Sequence, residues 1–475
     1  MILKKKTKIV ATIGPATESE EMLTKLLKSG LNVIRMNFSH GDFAEHQKKV
    51  NNGRAASKKT GIPVAFLQDL GGPKIRLGEF NTESGRINIK KGQIFVLTTR
   101  KLKGDETISH VNYEKLPKEA KVGERIMLDD GKKRLEILEI KGTEIICKVI
   151  VGGELKGRRG VNLPDTDISI SSLTQKDKDD LKFGIKNKVD FFALSFVRRP
   201  SDITELRNIL KKAKCSAGII AKIETPQAVK NIDEIISLSD GIMVARGDLA
   251  IEVPAEEVPL IQKNVINKCN LVGKPVITAT QMLESMIHSP VPTRAEVSDI
   301  ANAILDGTDA VMLSEETTLG EYPLEAVEIM AKVAKRTESD YLHEQLLSAK
   351  DLMHDKSISG AISAYAVKTA HKVDAKFIVS LTNSGSGARA ISKHRPSFPI
   401  LAFTPKDETM RKLVLSFGCW VFKIAKYTDF QHAINDIRKN VLKNKLASKG
   451  DKFVVVAARP FGNGAETNMI LVETV

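Results

Sequence analysis

Short apolar runs of strand length recur eight times, at 9–13, 33–38, 64–67, 191–197, 219–223, 242–245, 275–279 and 310–313, and helix-like segments such as 20–29, 202–212, 258–270 and 293–305 separate most of them. A helix between strands returns the chain to the edge it started from, so successive strands must pair in parallel. Eight such units predict a closed (β/α)8 TIM barrel, an α/β fold whose functional residues gather at the carboxyl ends of the strands. One gap interrupts the series. Between residues 70 and 173 the helix due after the third run is missing, and short alternating segments with turn signals replace it: Gly85-Arg-Ile-Asn-Ile89, Ile94-Phe-Val-Leu-Thr98, Asp129-Asp-Gly131 and Ile145-Ile-Cys-Lys-Val149. These predict a small antiparallel β-barrel domain inserted at the mouth, where it would act as a lid. Asp129-Asp-Gly131 is expected to be a hairpin turn and not a ligand. After a polar stretch at 344–356 a new alternation begins: helix 358–371, strands 377–381 and 400–403, helix 409–416, strands 419–424 and 453–457. The expected limits are 1–70 with 173–343 for the barrel, 71–172 for the lid and 344–475 for a C-terminal α/β domain.

Composition narrows the function classes. A chain of 475 residues exceeds one core. Its net charge of +15 would suit a polyanion, but the lysines are spread along the chain, and the few aromatic residues are not interleaved with basic runs as a base-stacking surface requires. Nucleic acid is therefore not the expected partner. Cys147, Cys215, Cys269 and Cys419 are scattered, without CxxC pairs or nearby histidines, which argues against a disulfide framework or a zinc site. The opening, Met1-Ile-Leu-Lys-Lys-Lys-Thr-Lys8, lacks the apolar core of a signal peptide, and no run approaches membrane-spanning length. A cytoplasmic location without a membrane partner is expected.

In a barrel the residues that close each strand share one rim. Here they are Arg35 to His40 on the second strand, Asp69 on the third, Ser195 and Phe196 on the fourth, and Lys222-Ile-Glu224 on the fifth. Arg246-Gly-Asp248 closes the sixth, Thr278-Ala-Thr-Gln281 the seventh and Ser314-Glu-Glu-Thr317 the eighth. Any one polar strand end is unremarkable; a polar group from nearly every strand is not. Lys222 interrupts an apolar run, where an ammonium is costly unless it meets a carboxylate or an anionic ligand. Glu224 and Asp248 are hard oxygen donors from neighbouring strands, suited to Mg²⁺ or Mn²⁺ when waters and substrate oxygens complete the shell. An ammonium beside such a metal suits a substrate that carries phosphate or passes through an enolate. Gly247 lets backbone approach a ligand closely.

The chain resembles the pyruvate kinase family. The resemblance is carried by Thr12-Ile-Gly-Pro15, Arg35-Met-Asn-Phe-Ser-His-Gly41, Gly72-Pro-Lys-Ile-Arg76, Gly160-Val-Asn-Leu-Pro164, Lys222-Ile-Glu224, residues 243–252, Ala279-Thr-Gln-Met-Leu-Glu-Ser285 and Pro292-Thr-Arg-Ala-Glu296. It implies phosphoryl transfer from phosphoenolpyruvate to ADP, giving ATP and pyruvate, in a cytoplasmic homotetramer. By position, Glu224 and Asp248 would ligate Mg²⁺, Lys222 would stabilise the phosphoryl group and the enolate oxygen, and Arg35 would hold phosphate. Gly247 would hold the substrate carboxylate, with Ser195, Phe196 and Asp248 beside the substrate. Thr280 would mark the enolate protonation site and Ser314 a proton relay; a threonine hydroxyl is too weak an acid to act unaided, so water is expected to deliver the proton. Pro15, Asn37, His40, Arg76 and Arg159 would meet the nucleotide, Arg159 standing where the family usually has lysine. Two departures matter. The family's monovalent-cation site matches Asn37, Ser39, Asp69 and Leu70, but Lys74 occupies the position of a nearby glutamate, so a tethered ammonium is expected to replace K⁺. In the C-terminal domain Thr382, Ser384, Gly385, Ser386 and Gly387 form a loop like that of members activated by sugar phosphates, with Gly387 in place of a hydroxyl residue; a phosphorylated effector and a plain turn both remain open. Glu315, where glycine is usual, has no explanation in the sequence. A metal-dependent aldolase or lyase acting on pyruvate enolates would also pair a Glu with an Asp, but would not need Arg76 and Arg159.

Overall fold

In the computed structural model, which describes residues 5–340, 355–427, 429–459 and 466–475, all eight apolar runs become strands of one closed parallel barrel. They are β1 (Lys8–Thr12), β2 (Val33–Asn37), β3 (Ala65–Asp69), β4 (Phe191–Leu194), β5 (Gly218–Ile223), β6 (Gly241–Ala245), β7 (Val276–Ala279) and β8 (Ala310–Leu313). Val10↔Val33 joins β1 to β2 and Lys8↔Ala310 closes the ring to β8. The runs lack polar alternation because both strand faces are covered: Val10, Leu67, Ile220, Met243 and Ile277 fill the interior, while Ile9, Ile34, Phe192 and Ile219 meet the outer helices. Local signals set the helix limits. Ser19 accepts the Met22 N–H to start Glu20–Ser29, and Thr293 with Glu296 forms a capping box for Arg294–Asp306. Gly184 lets the helix Gln175–Lys186 lie flat on the barrel, since a Cβ there would meet Gln68 Oε1 at 1.9 Å and Phe192 at 2.5 Å.

The fourth strand is shorter than its apolar run. It stops at Leu194 because Ser195 donates its hydroxyl to Leu70 O at 2.7 Å, and Phe196 turns through φ 53° to aim its N–H at Glu224 Oε2, 2.7 Å away. The insert is a six-stranded sheet curled around Phe95, Leu97, Leu128, Leu135 and Ile145, with a separate ribbon of Arg86–Ile89 and Gly153–Lys156. Its two outer edges are drawn together by adjacent residues, Arg76 bridging to Gly160 and Leu77 to Val111. One pairing departs from the antiparallel expectation: Ile94–Thr98 and Ile108–His110 run parallel, because the connection between them crosses over and is bridged at Gly104 to Phe80. The hairpin at 129–131 is a turn as expected, with Asp129, Asp130 and Gly131 at φ 52°, 55° and 80°.

The C-terminal region carries a five-stranded sheet in the order Cys419–Lys423, Ile400–Thr404, Ile378–Leu381, Lys452–Ala457, Met469–Thr474. The last strand is antiparallel, and it and the helix Phe430–Lys443 were not evident in the sequence pattern. Of the polar stretch 344–356, residues up to 354 lie outside the described ones. This region docks on the amino ends of the barrel strands, opposite the mouth. Arg395 binds both oxygens of Asp309 at 3.0 and 2.8 Å, Arg411 pairs with Asp190 at 2.7 Å, and Lys8 Nζ donates to Cys419 O at 2.6 Å. All four cysteines are free. Among the described residues, no helix is long and apolar enough to cross a membrane.

Candidate active site at the barrel mouth

The carboxyl ends of β2 to β5 converge on one buried charge cluster. Arg35, in the middle of β2, donates through Nε to Asp69 Oδ2 and through Nη1 to Thr12 Oγ1, both at 2.7 Å. Asp69, closing β3, also faces Lys222 Nζ at 3.4 Å through its other oxygen. Lys222 projects inward from β5, lies 2.8 Å from Glu224 Oε1 and donates to Ser195 Oγ at 2.8 Å. Burial opposes the charge on Lys222, but Asp69 and Glu224 outweigh it and hold the ammonium firmly protonated. Asp69 is likewise buried, and Lys222 and Arg35 overcome that cost to keep it ionised. Glu224 is the exception. It is completely buried, and desolvation together with the charge of Asp248 lifts its carboxyl to about 7 against the pull of Lys222. Its Oε1 makes only the close approach to Lys222, without a well-aligned hydrogen bond.

The ends of β6 and β7 form the adjoining wall. Gly247 donates its N–H to Thr280 Oγ1 at 2.8 Å, and Arg246 holds Thr280 O at 2.8 Å and Asp299 Oδ1 at 2.6 Å. Thr280 and Gln281 sit at φ 72° and 55°, a left-handed backbone that a β-branched residue avoids unless its surroundings impose it. The Gly247 N–H expected for a substrate carboxylate is thus already engaged by the Thr280 hydroxyl. Ser314, closing β8, donates its N–H to Glu316 Oε2 at 2.6 Å, and the same buried carboxylate takes the Leu283 N–H at 3.1 Å, so Glu316 ties the Thr280 loop to the Ser314 loop.

Between barrel and insert lies a cavity of about 240 Å³ whose wall includes Lys74, Arg76, Arg159, Phe196, Asp248 and Glu252. It adjoins the charge cluster through Phe196. His40 belongs to the same rim: partial burial, then Lys74, Arg76 and Arg35, press its pKa down, while Glu315 opposes them. Glu315 is thereby an acidic counterweight on a basic rim. Arg159 Nε is held by Asp129 at 3.0 Å. Lys74 is within electrostatic reach of Asp248, Lys222 and Glu224, yet among the described residues its ammonium forms no ion pair with a carboxylate. Asn37 Oδ1 accepts the Ser39 N–H at 3.1 Å, Leu70 O takes the Ser195 hydroxyl, and Pro15 stands exposed on the turn after β1. The loop 382–387 is remote from the mouth and borders a second cavity of about 420 Å³; Thr382 Oγ1 accepts the Gly385 N–H at 2.9 Å, and the Ser384 and Ser386 hydroxyls face each other at 2.9 Å. The cavity wall also includes Asn162, Arg198 and Glu252, to which the sequence assigned no role, although Asn162 and Glu252 fall within the quoted motifs. Glu252 was visible as the residue one helical turn beyond Asp248 on Arg246–Glu252.

A buried ammonium clamped between carboxylates at the mouth of a (β/α)8 barrel, beneath an insert bearing arginines, defines a phosphotransferase by class, built to hold developing oxygen charge. The pyruvate kinase barrel domain matches residues 4–327 and the pyruvate kinase alpha/beta domain residues 360–473. The chain is 46% identical to pyruvate kinase 2 of Synechocystis sp. over all of its own length and 80% of that protein, and 45% identical to the pyruvate kinase of Geobacillus stearothermophilus over all of its length and 81% of that one. A crystal structure of a pyruvate kinase from Cryptosporidium parvum superposes with a TM-score of 0.94 at 37% identity, covering 99% of this chain and 96% of that one. The chain belongs to the pyruvate kinase family.

Proposed function

We propose that this chain transfers the phosphoryl group of phosphoenolpyruvate to ADP, releasing ATP and an enolate that is protonated to pyruvate, the last step of glycolysis. The observation that carries this reading is the ammonium of Lys222, fixed between Asp69, Glu224 and the Ser195 hydroxyl beside the Arg35 guanidinium. Lys222 is oriented before any substrate arrives, so it meets the moving phosphoryl charge without reorganising. Arg35, locked by Asp69 and Thr12, would hold the substrate phosphate. Glu224 and Asp248 fit Mg²⁺ or Mn²⁺: they are two hard carboxylates whose mutual repulsion helps lift the Glu224 carboxyl, a cost that a divalent cation removes. Among the described residues no group of three or more His, Cys, Asp or Glu side chains is placed to hold a metal, so substrate oxygens and waters would have to complete the shell around Glu224 and Asp248. The bound ion would supply fixed positive charge to those oxygens.

A substrate carboxylate at Gly247 would replace the neutral bond to Thr280 Oγ1 with a stronger charge-assisted one, freeing the Thr280 oxygen, whose own O–H is donated to Ala279 O, to accept from and orient the water that protonates the enolate. Ser314, fixed by Glu316, would belong to the relay behind it. Pro15, Asn37, His40, Arg76 and Arg159 would meet the nucleotide. Coupling pyruvate release to NADH oxidation by lactate dehydrogenase tests the reaction: pyruvate must appear only when ADP and phosphoenolpyruvate are both present. Pyruvate released without ADP would refute it.

K⁺ is not required, because the Asp69 oxygens are already taken by Arg35 and Lys222, and Lys74 adds a further positive charge to the rim. Activity that is absent in a K⁺-free tetramethylammonium buffer and returns with K⁺ would overturn this. The loop 382–387 beside its cavity supports a phosphorylated effector; an unchanged phosphoenolpyruvate response across sugar mono- and bisphosphates and AMP would remove it. The same reading includes a cytoplasmic homotetramer, with domains at 1–70 plus 173–343, 71–172 and 344–475.

A further inference from the structure

Glu252 ends the helix Arg246–Glu252, is 9% exposed and lines the cavity beneath the insert, but the phosphoryl transfer described above makes no use of it. Its Oε1 accepts a 2.8 Å hydrogen bond from Asn162 Nδ2. Asn162 belongs to the strand on which the insert returns to the barrel, and it pairs there with Met127. Two residues earlier Gly160 bridges to Arg76, and Arg159 precedes it, so Arg159 rides on the segment that Asn162 anchors and Arg76 is paired to it. A second contact lies beside the first. A Cβ on Gly131 would sit 3.4 Å from Ile251 Cγ2, which places the hairpin turn against the residue next to Glu252, and that turn holds Arg159 through Asp129. Behind Glu252 is the buried Arg198, whose Nη1 has no hydrogen-bond partner and which interacts electrostatically with Glu252. One set of contacts between insert and barrel thus falls at the end of the short helix Arg246–Glu252, which also carries the proposed metal ligand Asp248 in its first turn; Gln227 to Thr166 O and Arg199 to Asp167 add others nearby.

We propose that Glu252 is a positioning residue that, through Asn162, fixes the insert over the barrel mouth in the pose that brings Arg76 and Arg159 to the nucleotide phosphates. This rests on the phosphotransfer reading above and adds the element that couples lid to metal site. The helix is under two turns long, so a bond at its end lies one turn from Asp248 and registers the insert against it. A carboxamide at 252 keeps the carbonyl acceptor for Asn162; a methyl does not.

The test compares Glu252→Ala, Glu252→Gln, Asn162→Ala and the double alanine variant in the full chain. With Mg²⁺ and saturating phosphoenolpyruvate, Glu252→Ala and Asn162→Ala should raise KM for ADP about tenfold, with kcat and KM for phosphoenolpyruvate changed less than about twofold. Glu252→Gln should come within about threefold of the parent, and the double variant should be no worse than either single one. In the protein without substrates, amide hydrogen exchange should quicken at 76–77, 125–128 and 161–162 in the alanine variants while the barrel strands keep their protection. Unchanged KM for ADP in an active enzyme, a Gln variant as impaired as Ala, additive effects in the double variant, or unchanged exchange would each overturn the assignment. If Glu252→Ala does not fold, Asn162→Ala on the insert side carries the same comparison. A parent protein that fails to form pyruvate from phosphoenolpyruvate and ADP would instead sink the reaction assignment, and the exchange measurement would still decide the link.

Discussion

Replacing Lys222 by methionine removes one charge at nearly constant volume, and the geometry sets the size of the effect. Nζ lies 2.8 Å from Glu224 Oε1 and 3.4 Å from Asp69 Oδ1; at an effective dielectric of about 20 these separations correspond to roughly 6 and 5 kcal/mol of gross attraction. Most of that offsets the cost of burying three charged groups, so the net loss of stability should be smaller, about 3 kcal/mol at most. Asp69 keeps Arg35, and Glu224, whose carboxyl already sits at about 7, can take up a proton once the ammonium is gone. The catalytic loss is not cushioned in this way. A phosphoryl oxygen about 4 Å from an ammonium gains roughly 4 kcal/mol under the same dielectric, so kcat should fall about a thousandfold. Mn²⁺ binding, read from the relaxation of water protons, should survive, because removing a neighbouring cation leaves both carboxylate ligands in place. A Lys222→Met enzyme within tenfold of the parent kcat would refute the role of the charge. Loss of Mn²⁺ affinity would mean that Lys222 organises the metal site instead.

Thr280→Gly should abolish most of the activity without lowering Tm, since glycine accepts φ 72° freely and relieves about 1–2 kcal/mol of backbone strain while deleting the hydroxyl; a drop in Tm would show that the hydroxyl's bond to Gly247 outweighs the strain. Arg395→Ala should destabilise the chain by about 3–5 kcal/mol, because it strands a buried Asp309 that then keeps only the N–H groups of Val276 and Phe417. Thermal unfolding followed by calorimetry checks this, and a shift of under a degree would refute it. Burial lifts the Glu252 carboxyl to about 7 from a usual value of 4.5. The folded state thus binds more protons, its stability falls as pH rises from 4.5 to 7, and the full penalty persists above 7. Glu252→Gln removes that penalty, so its Tm relative to the parent should be higher at pH 8 than at pH 5, by the equivalent of about 2 kcal/mol. An offset independent of pH would show that Glu252 ionises normally.

What the sequence disclosed follows from where each residue's partners lie. The barrel was legible because parallel strands buried on both faces need unbroken apolar runs, and no turn of the chain can disguise eight of them. Lys222 was legible for the same reason, as the one lysine inside such a run. The burial of Glu252 and Arg198 was not: the two face each other from positions far apart in sequence, with Asn162 of the returning insert strand bonded to Glu252, and nothing local marks either as buried. The strand Met469–Thr474 escaped notice because it is an antiparallel edge with one partner, only partly buried along its length, so its pattern carries little hydrophobic contrast. The occupied state of the Gly247 N–H was equally invisible, since it depends on Thr280 adopting a backbone conformation that its own side chain disfavours. Strain of that kind persists only where β6 and β7 and the Arg246–Thr280 bond hold it, which is why the same threonine marks both the reaction face and the least comfortable backbone in the mouth.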